Sequence, residues 1–136
     1  MQNTFACVEG RGLHAVTLTS RLIGEDVMVS LFGGVRPHIG AVALASPCSS
    51  IQAGVHAFAS VLTAPGHRDD TVAHRLALGL CKAFGRTVCV TVGLHMDNAS
   101  AEDISMLLRN AEAAAERLKT TIQEHCDGSE RLFEKA

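Results

Sequence analysis

Three histidines, His38, His67 and His95, fall where predicted secondary-structure elements end, each among glycine, proline or acidic residues. Their segments are Gly33-Gly34-Val35-Arg36-Pro37-His38-Ile39-Gly40, Gly66-His67-Arg68-Asp69-Asp70 and Gly93-Leu94-His95-Met96-Asp97-Asn98. Side chains at element ends can converge on one pocket while the elements behind them supply rigidity. Three imidazoles suit zinc and other first-row metals, so His38, His67 and His95 form a candidate divalent-metal set. They suit a phosphate equally: Arg68 can give two parallel hydrogen bonds to an anion, and the N–H groups of a following helix start can hold one. On an extended backbone, residues two apart point the same way, so His95 and Asp97 can address one space. Asp97 could then orient the imidazole, accept a proton or hold a cation.

Each segment also has a plainer reading. Asp97-Asn98 is a common turn and helix cap, Gly66 to Asp70 an ordinary polar loop, and the glycines around His38 can simply serve turns. His14, His56, His74 and His125 have no comparable context, and His74 is expected to face solvent from a helix. Nucleophilic catalysis has little support, since no serine lies in a G-x-S-x-G context and no cysteine has a base close in sequence. No paired carboxylates for glycoside chemistry can be picked out. Neither G-x-G-x-x-G nor G-x-x-x-x-G-K-[ST] is present, which removes the usual dinucleotide and nucleoside-triphosphate cradles.

The elements that must position these residues read as strands first and helices later. Phe5 to Glu9, His14 to Leu22 and Val27 to Phe32 read as strands, the last two joined by a hairpin at Ile23-Gly24-Glu25-Asp26. Gly33-Gly34 is expected to break the third strand, and Pro37 to force Arg36 into an extended conformation. A strand over Ile39 to Ala45 follows, its small residues suggesting close approach of a helix or ligand. Ser46 to Gln52 reads as a loop. Ala53 to Leu62 fits helix or strand, with a strand favoured in its second half, and Pro65-Gly66 ends it.

Asp69 or Asp70 can cap a helix to Phe84, with Val72, Leu76, Leu80 and Ala83 on the core stripe and Gly85 as the stop. Thr87 to Val92 is β-branched and reads as a strand. Asn98 or Ser100 caps a second helix that buries Ile104, Leu107, Leu108, Ala111, Ala115, Leu118 and Ile122. This order predicts an α+β fold, a mostly antiparallel sheet with two main helices packed on it. The 136 residues are expected to form a single domain, with a polar tail fraying from about residue 126.

Composition narrows the function classes. With 47% hydrophobic and 19% charged residues, a packed globular chain is expected. The net charge of −2 includes no long basic run, and Trp and Tyr are absent, so nucleic acid is not an expected partner. No apolar stretch or leader-like start suggests a membrane or export. Five cysteines without a C-x-x-C pair suggest reduced thiols in the cytoplasm, with Cys81 and Cys89 as small core residues.

In this order the three segments resemble the LpdD-like prenylated-flavin chaperones, the small accessory subunits of UbiD-type gallate and related hydroxyarene decarboxylase systems. The resemblance rests on Gly33-Gly34…Pro37-His38-Ile39-Gly40-Ala41, on Gly66-His67-Arg68-Asp69-Asp70 and on Gly93-Leu94-His95-Met96-Asp97-Asn98. Leu94 stands where the family pattern has isoleucine, and the match runs from about Gly33 to Asn110. It implies a protein that binds prenylated FMN and assists its maturation or delivery to a UbiD-type decarboxylase. It also implies a fold similar to small proteasome-assembly chaperones and a homo-oligomer. The cofactor would then be bound by Gly34, Arg36, His38, His67, Arg68, His95, Asp97 and Asn98. A divalent ion on His38, His67 and His95 could bridge to its phosphate. Ile39, Ala41, Val42, Leu94 or Met96 would supply an apolar wall for its rings. The alternative is a small metal-dependent enzyme, in which those histidines hold the metal and Asp97 takes a proton from metal-bound water.

Overall fold

The computed structural model describes residues 3–49, 55–66 and 69–134, with side chains described to His125. His67 and Arg68, and the end of the loop expected at Ser46 to Gln52, lie outside the described residues. Six strands form one sheet: β1 (Thr4–Glu9), β2 (Val16–Ile23), β3 (Asp26–Gly34), β4 (Ala41–Ser49), β5 (Val55–Thr63) and β6 (Val88–His95). The helices are α1 (Asp70–Phe84) and α2 (Ala101–Glu134), and a short 3-10 turn, Gly12–His14, precedes β2. The strand order is β1-β2-β3-β6-β4-β5. Among the described strands only β3 and β6 run parallel; the other four pairs are antiparallel. This is the α+β architecture that the order of elements predicts.

Period-two alternation decides which face is covered. Leu18, Leu31, Val92 and Ala41 lie in one cross-strand row, and Val29, Val90, Ala43 and Val61 in the next. Most of these are fully buried beneath the helices. The opposite face carries Met28, Leu44, Phe58 and Leu62, all exposed. Thr91 Oγ1 donates to Ser30 Oγ there at 3.0 Å.

Four local expectations change. Gly33 and Gly34 do not break β3; they pair with Leu94 and His95. A Cβ on Gly33 would strike the Ala15 carbonyl, and one on Gly34, whose φ is +82°, would strike the His95 carbonyl. Close backbone approach therefore requires them. Next, β4 runs on through Pro47 to Ser49 where a loop was expected. Its pairing with β6 stops at Ala45, so Pro47 has a neighbouring strand on one side only, where a missing N–H is tolerated.

Third, α1 buries Ala73, Ala77, Leu80 and Cys81, while Val72 and Leu76 are half-buried and Ala83 is exposed. The alanines of α1 lie over a sheet face that is itself alanine-rich along β4, and small groups on both sides let the helix sit close. Finally, Ile104 of α2 is half exposed, and Cys89 lies on the open face of the sheet. Gly85 ends α1 as expected, in the left-handed conformation with its N–H on the Cys81 carbonyl.

Replacing fully buried Leu18 by Ala should cost about 2–5 kcal/mol through lost burial plus a cavity. Leu62→Ala, at a residue 78% exposed, should stay within about 0.5 kcal/mol. Urea unfolding midpoints of both variants check the assignment of the two faces.

Candidate functional site

The parallel strands β3 and β6 end side by side, at Gly34 and His95. From Gly34 the chain turns across the end of the sheet and enters β4 at Ala41. Backbone hydrogen bonds hold this crossing: Val35 N–H to the His95 carbonyl at 2.7 Å, Gly40 N–H to Val92 at 2.8 Å, and Ala64 N–H to Gly40 at 2.7 Å. His38 therefore rides on a segment fixed to both β6 and the end of β5.

Asp69, at the start of α1, sits beneath that crossing and is 6% exposed. It makes no cap hydrogen bond to its own helix. Its Oδ1 accepts the Leu94 N–H at 3.1 Å, and its Oδ2 lies 3.3 Å from His38 Nε2. Two glycines make this possible. A Cβ on Gly40 would strike Asp69 Oδ2, and a Cβ on Gly93 would strike the His38 carbonyl. The small residue at Gly40 thus admits a buried carboxylate.

His38 Nδ1–H donates to the Arg36 carbonyl at 3.0 Å. Nε2 of the same ring faces Asp69 Oδ2. Both ring nitrogens of His38 are thereby engaged. His95 differs: its Nε2 meets Asp97 Oδ1 at 2.8 Å, and its side chain is 34% exposed. Donation from Nε2–H leaves Nδ1 as the acceptor face of the ring. The two rings stand edge to face with centroids 6.1 Å apart.

The structure thus brings together His38, His95, Asp97 and Asp69. Gly34 abuts His95, Arg36 contributes its carbonyl while its side chain is exposed, and Asn98 takes the left-handed conformation at φ 52° just beyond. No group of three or more His, Cys, Asp or Glu side chains able to hold a metal exists among the described residues. The expected set of His38, His67 and His95 includes His67, which lies outside the described residues.

An apolar cleft of about 330 Å³ opens beside this cluster. Asp69 and His95 lie on its wall with Val72 of α1, Leu94 of β6, Met96 just beyond it, and Ile104, Leu107 and Leu108 of α2. A larger cavity of about 500 Å³ is lined by Thr4, Thr19, Arg21 and Ser30 of β1–β3. None of the clustered histidines or aspartates borders it, so the smaller cleft is the better functional candidate despite its size.

Sequence reasoning missed the brace that sets the α2 wall of the cleft. Ser100 caps α2 reciprocally with Asp103: Asp103 N–H donates to Ser100 Oγ at 3.1 Å, and Ser100 N–H to Asp103 Oδ2 at 2.9 Å. His14 Nε2 meets Asp103 Oδ1 at 2.8 Å, and Asn110 Nδ2 donates to the His14 carbonyl at 2.8 Å. The spacing from Ser100 to Asp103 signals the cap, but nothing in the sequence ties His14 to it. Asp103 is held down to about 2, first by the His14 hydrogen bond and then by those from Ser100. With carboxylates already on its first turn, the α2 start is a poorer anion holder than the sequence suggested. Burial pushes the Cys7 and Cys81 thiols up, which removes them as nucleophiles.

The family model described as prenylated flavin chaperone LpdD-like domain matches residues 10–123, which takes in the crossing segment, Asp69, the end of β6 and the α2 wall. No curated protein matches the chain.

Two outcomes follow from this geometry. Asp69→Ala leaves the half-buried Leu94 N–H without its acceptor and should cost about 1–3 kcal/mol in urea unfolding. Asp69→Asn should cost clearly less, because its carbonyl can still accept from Leu94 while its amide donates to His38. Second, a depressed Asp103 adds stability above its unfolded value of 3.8 and loses it as pH falls through about 2. Unfolding midpoints measured from pH 5 to pH 2 should therefore fall less steeply in His14→Ala, whose Asp103 lacks the main cause of the depression.

Proposed function

The chain belongs to the prenylated-flavin chaperone LpdD-like family, and from that premise we propose that it binds prenylated FMN and assists its maturation or delivery to a UbiD-type decarboxylase. The observation that carries this reading is the junction of a polar cluster with an apolar cleft at the ends of β3 and β6. A prenylated flavin has the same two-part character, with a phosphate and polar ring edge on one side and an apolar ring system on the other. The donor set fits such a ligand. His95 offers an oriented imidazole at the mouth of the cleft, and Leu94, Met96 and the α2 residues offer apolar wall.

The phosphate belongs in this reading beside Arg68, near the start of α1. Asp70 on that first turn opposes an anion as Glu102 and Asp103 do on α2, so the guanidinium has to supply the attraction. Arg68 and His67 adjoin that start in sequence. Gly34 admits the close approach of its strand to His95, Asp97 holds that ring, and the reading assigns Arg36 and Asn98, near them in the chain, to the ligand. The flavin supplies the redox and ring chemistry once it is in the decarboxylase; the residues of this chain hold it, orient it and cover one side from water. A protein that must give up its cargo needs binding without covalent attachment, and none of the described cysteines lines the cleft.

The exposed Met28, Leu44, Phe58 and Leu62 on the open sheet face support a homo-oligomer. No helix among the described residues is long and apolar enough to cross a membrane.

The test is retention. Incubated with prenylated FMN and desalted, the protein should keep a shifted flavin absorbance, and mixing with apo-decarboxylase should transfer that absorbance and restore decarboxylation. His95→Ala should weaken retention by about tenfold or more, the scale of one hydrogen bond to a charged ligand. His74→Ala, on the exposed face of α1, should leave it unchanged. Cofactor that elutes freely from the unaltered protein would overturn the reading.

A further inference from the structure

We propose that His14, which does not line the cleft, is a positioning residue for His95, acting through Asp103, Ser100 and the turn that carries Asp97. The relay itself stands on geometry; its effect on cofactor retention rests on the reading above.

The His95 ring is held by one side chain whose own place is set by backbone. His95 Nε2 meets Asp97 Oδ1 at 2.8 Å, yet the Asp97 side chain is 65% exposed and makes no other hydrogen bond among the described residues. An exposed carboxylate of that kind is free to rotate unless its turn aims it, and an unaimed pair in water is worth little. The turn runs from His95 to Ser100 and is anchored at both ends. At the first, the His95 carbonyl accepts the Val35 N–H at 2.7 Å, and Asp69 holds the Leu94 N–H at 3.1 Å. At the second, Ser100 and Asp103 cap α2 reciprocally, and the Ile104 N–H donates to the Ser100 carbonyl at 3.1 Å. Asn98 makes the bend between them, in a left-handed conformation that asparagine tolerates.

The second anchor depends on His14. Asp103 Oδ2 accepts the Ser100 N–H, and Oδ1 lies 2.8 Å from His14 Nε2. Both oxygens are committed, so a rotation of Asp103 that releases Ser100 also has to break the His14 contact. The hydrogen bond from His14 is the first cause of the low value of Asp103, about 2. His14 is fixed in its turn, since Asn110 Nδ2 donates to its carbonyl at 2.8 Å and Arg117 reaches Glu9 Oε1 at 3.0 Å on the same β1–β2 connection. A side chain on Gly10 would strike Asn110, so the connection lies close against the helix there. Asp103, Asn110 and Arg117 recur at heptad spacing and form one stripe of α2. That stripe sets the height and rotation of the helix, and His14 is its contact at the site end.

The ring nitrogens of His95 report the relay directly. In a neutral imidazole that carries its proton on Nε2 alone, the two ring-nitrogen NMR signals lie far apart; when tautomers mix, they draw together. Spectra are recorded at about pH 8, above the ordinary imidazole value of about 6.5, and the His95 pair is assigned by its loss in His95→Ala. The unaltered protein should show the Nε2–H tautomer, and Asp97→Ala should lose that preference. His14→Ala should move the His95 signals toward those of Asp97→Ala, and His14→Gln, whose amide can still donate to Asp103, should restore them. Ser100→Ala breaks the relay at its middle link, should act as His14→Ala does, and serves if that variant does not fold. In the desalting assay, His14→Ala should hold prenylated FMN about threefold less tightly, the scale of one weakened hydrogen bond. Unchanged His95 signals in a folded His14→Ala or Ser100→Ala protein would overturn the relay, even where stability falls. Shifted signals with no cofactor bound by the unaltered protein would uphold the relay and overturn the cofactor reading.

Discussion

One buried carboxylate organises the functional end of this molecule. Asp69 is almost without exposure, and a charge in that position is tolerable only when its oxygens are fully engaged. Its two oxygens reach different strand ends, the Leu94 N–H on β6 and the His38 ring before β4, while its own backbone begins α1. Three segments far apart in sequence are thus tied at one point. Gly40 and Gly93 are corollaries of that tie, because a side chain at either position would occupy the space of the carboxylate or of the His38 backbone.

Much of the scaffold was legible because local signals agreed with one another. The Gly24 hairpin, the β-branched β6, the Gly85 stop and the apolar stripe from Leu107 to Ile122 each rest on near-neighbour chemistry. The strand order was not legible. The sequence offers no sign that β6 enters between β3 and β4, since that choice depends on which rows of side chains fill the space beneath the helices. The inward face of α1 was misjudged for a related reason: an alanine-rich sheet rewards small residues, which a search for large apolar ones overlooks. Pro47 was taken as loop chemistry because its one-sided strand neighbourhood is a tertiary fact.

The site was legible in its parts and not in its joints. Placing His38 and His95 at element ends was sufficient to suggest that they could meet, and they do, at 6.1 Å between rings. Asp69 looked like a helix cap, and only the structure shows its side chain turned away from its helix. His14 carried no signal at all, because its partner Asp103 lies 89 residues away.

The insertion of β6 between β3 and β4 has a kinetic consequence. Ser30 and Thr91, hydrogen-bonded across the parallel pair, are 61 residues apart in the chain. Antiparallel hairpins such as β2–β3 and β4–β5 can close early on short loops, whereas this pairing must wait until everything between has been synthesised and arranged. The ends of β3 and β6 also carry the cluster of His38, Asp69 and His95. That cluster therefore comes into being only once this long-range pairing is made, and a chain that has closed only its hairpins does not yet have it.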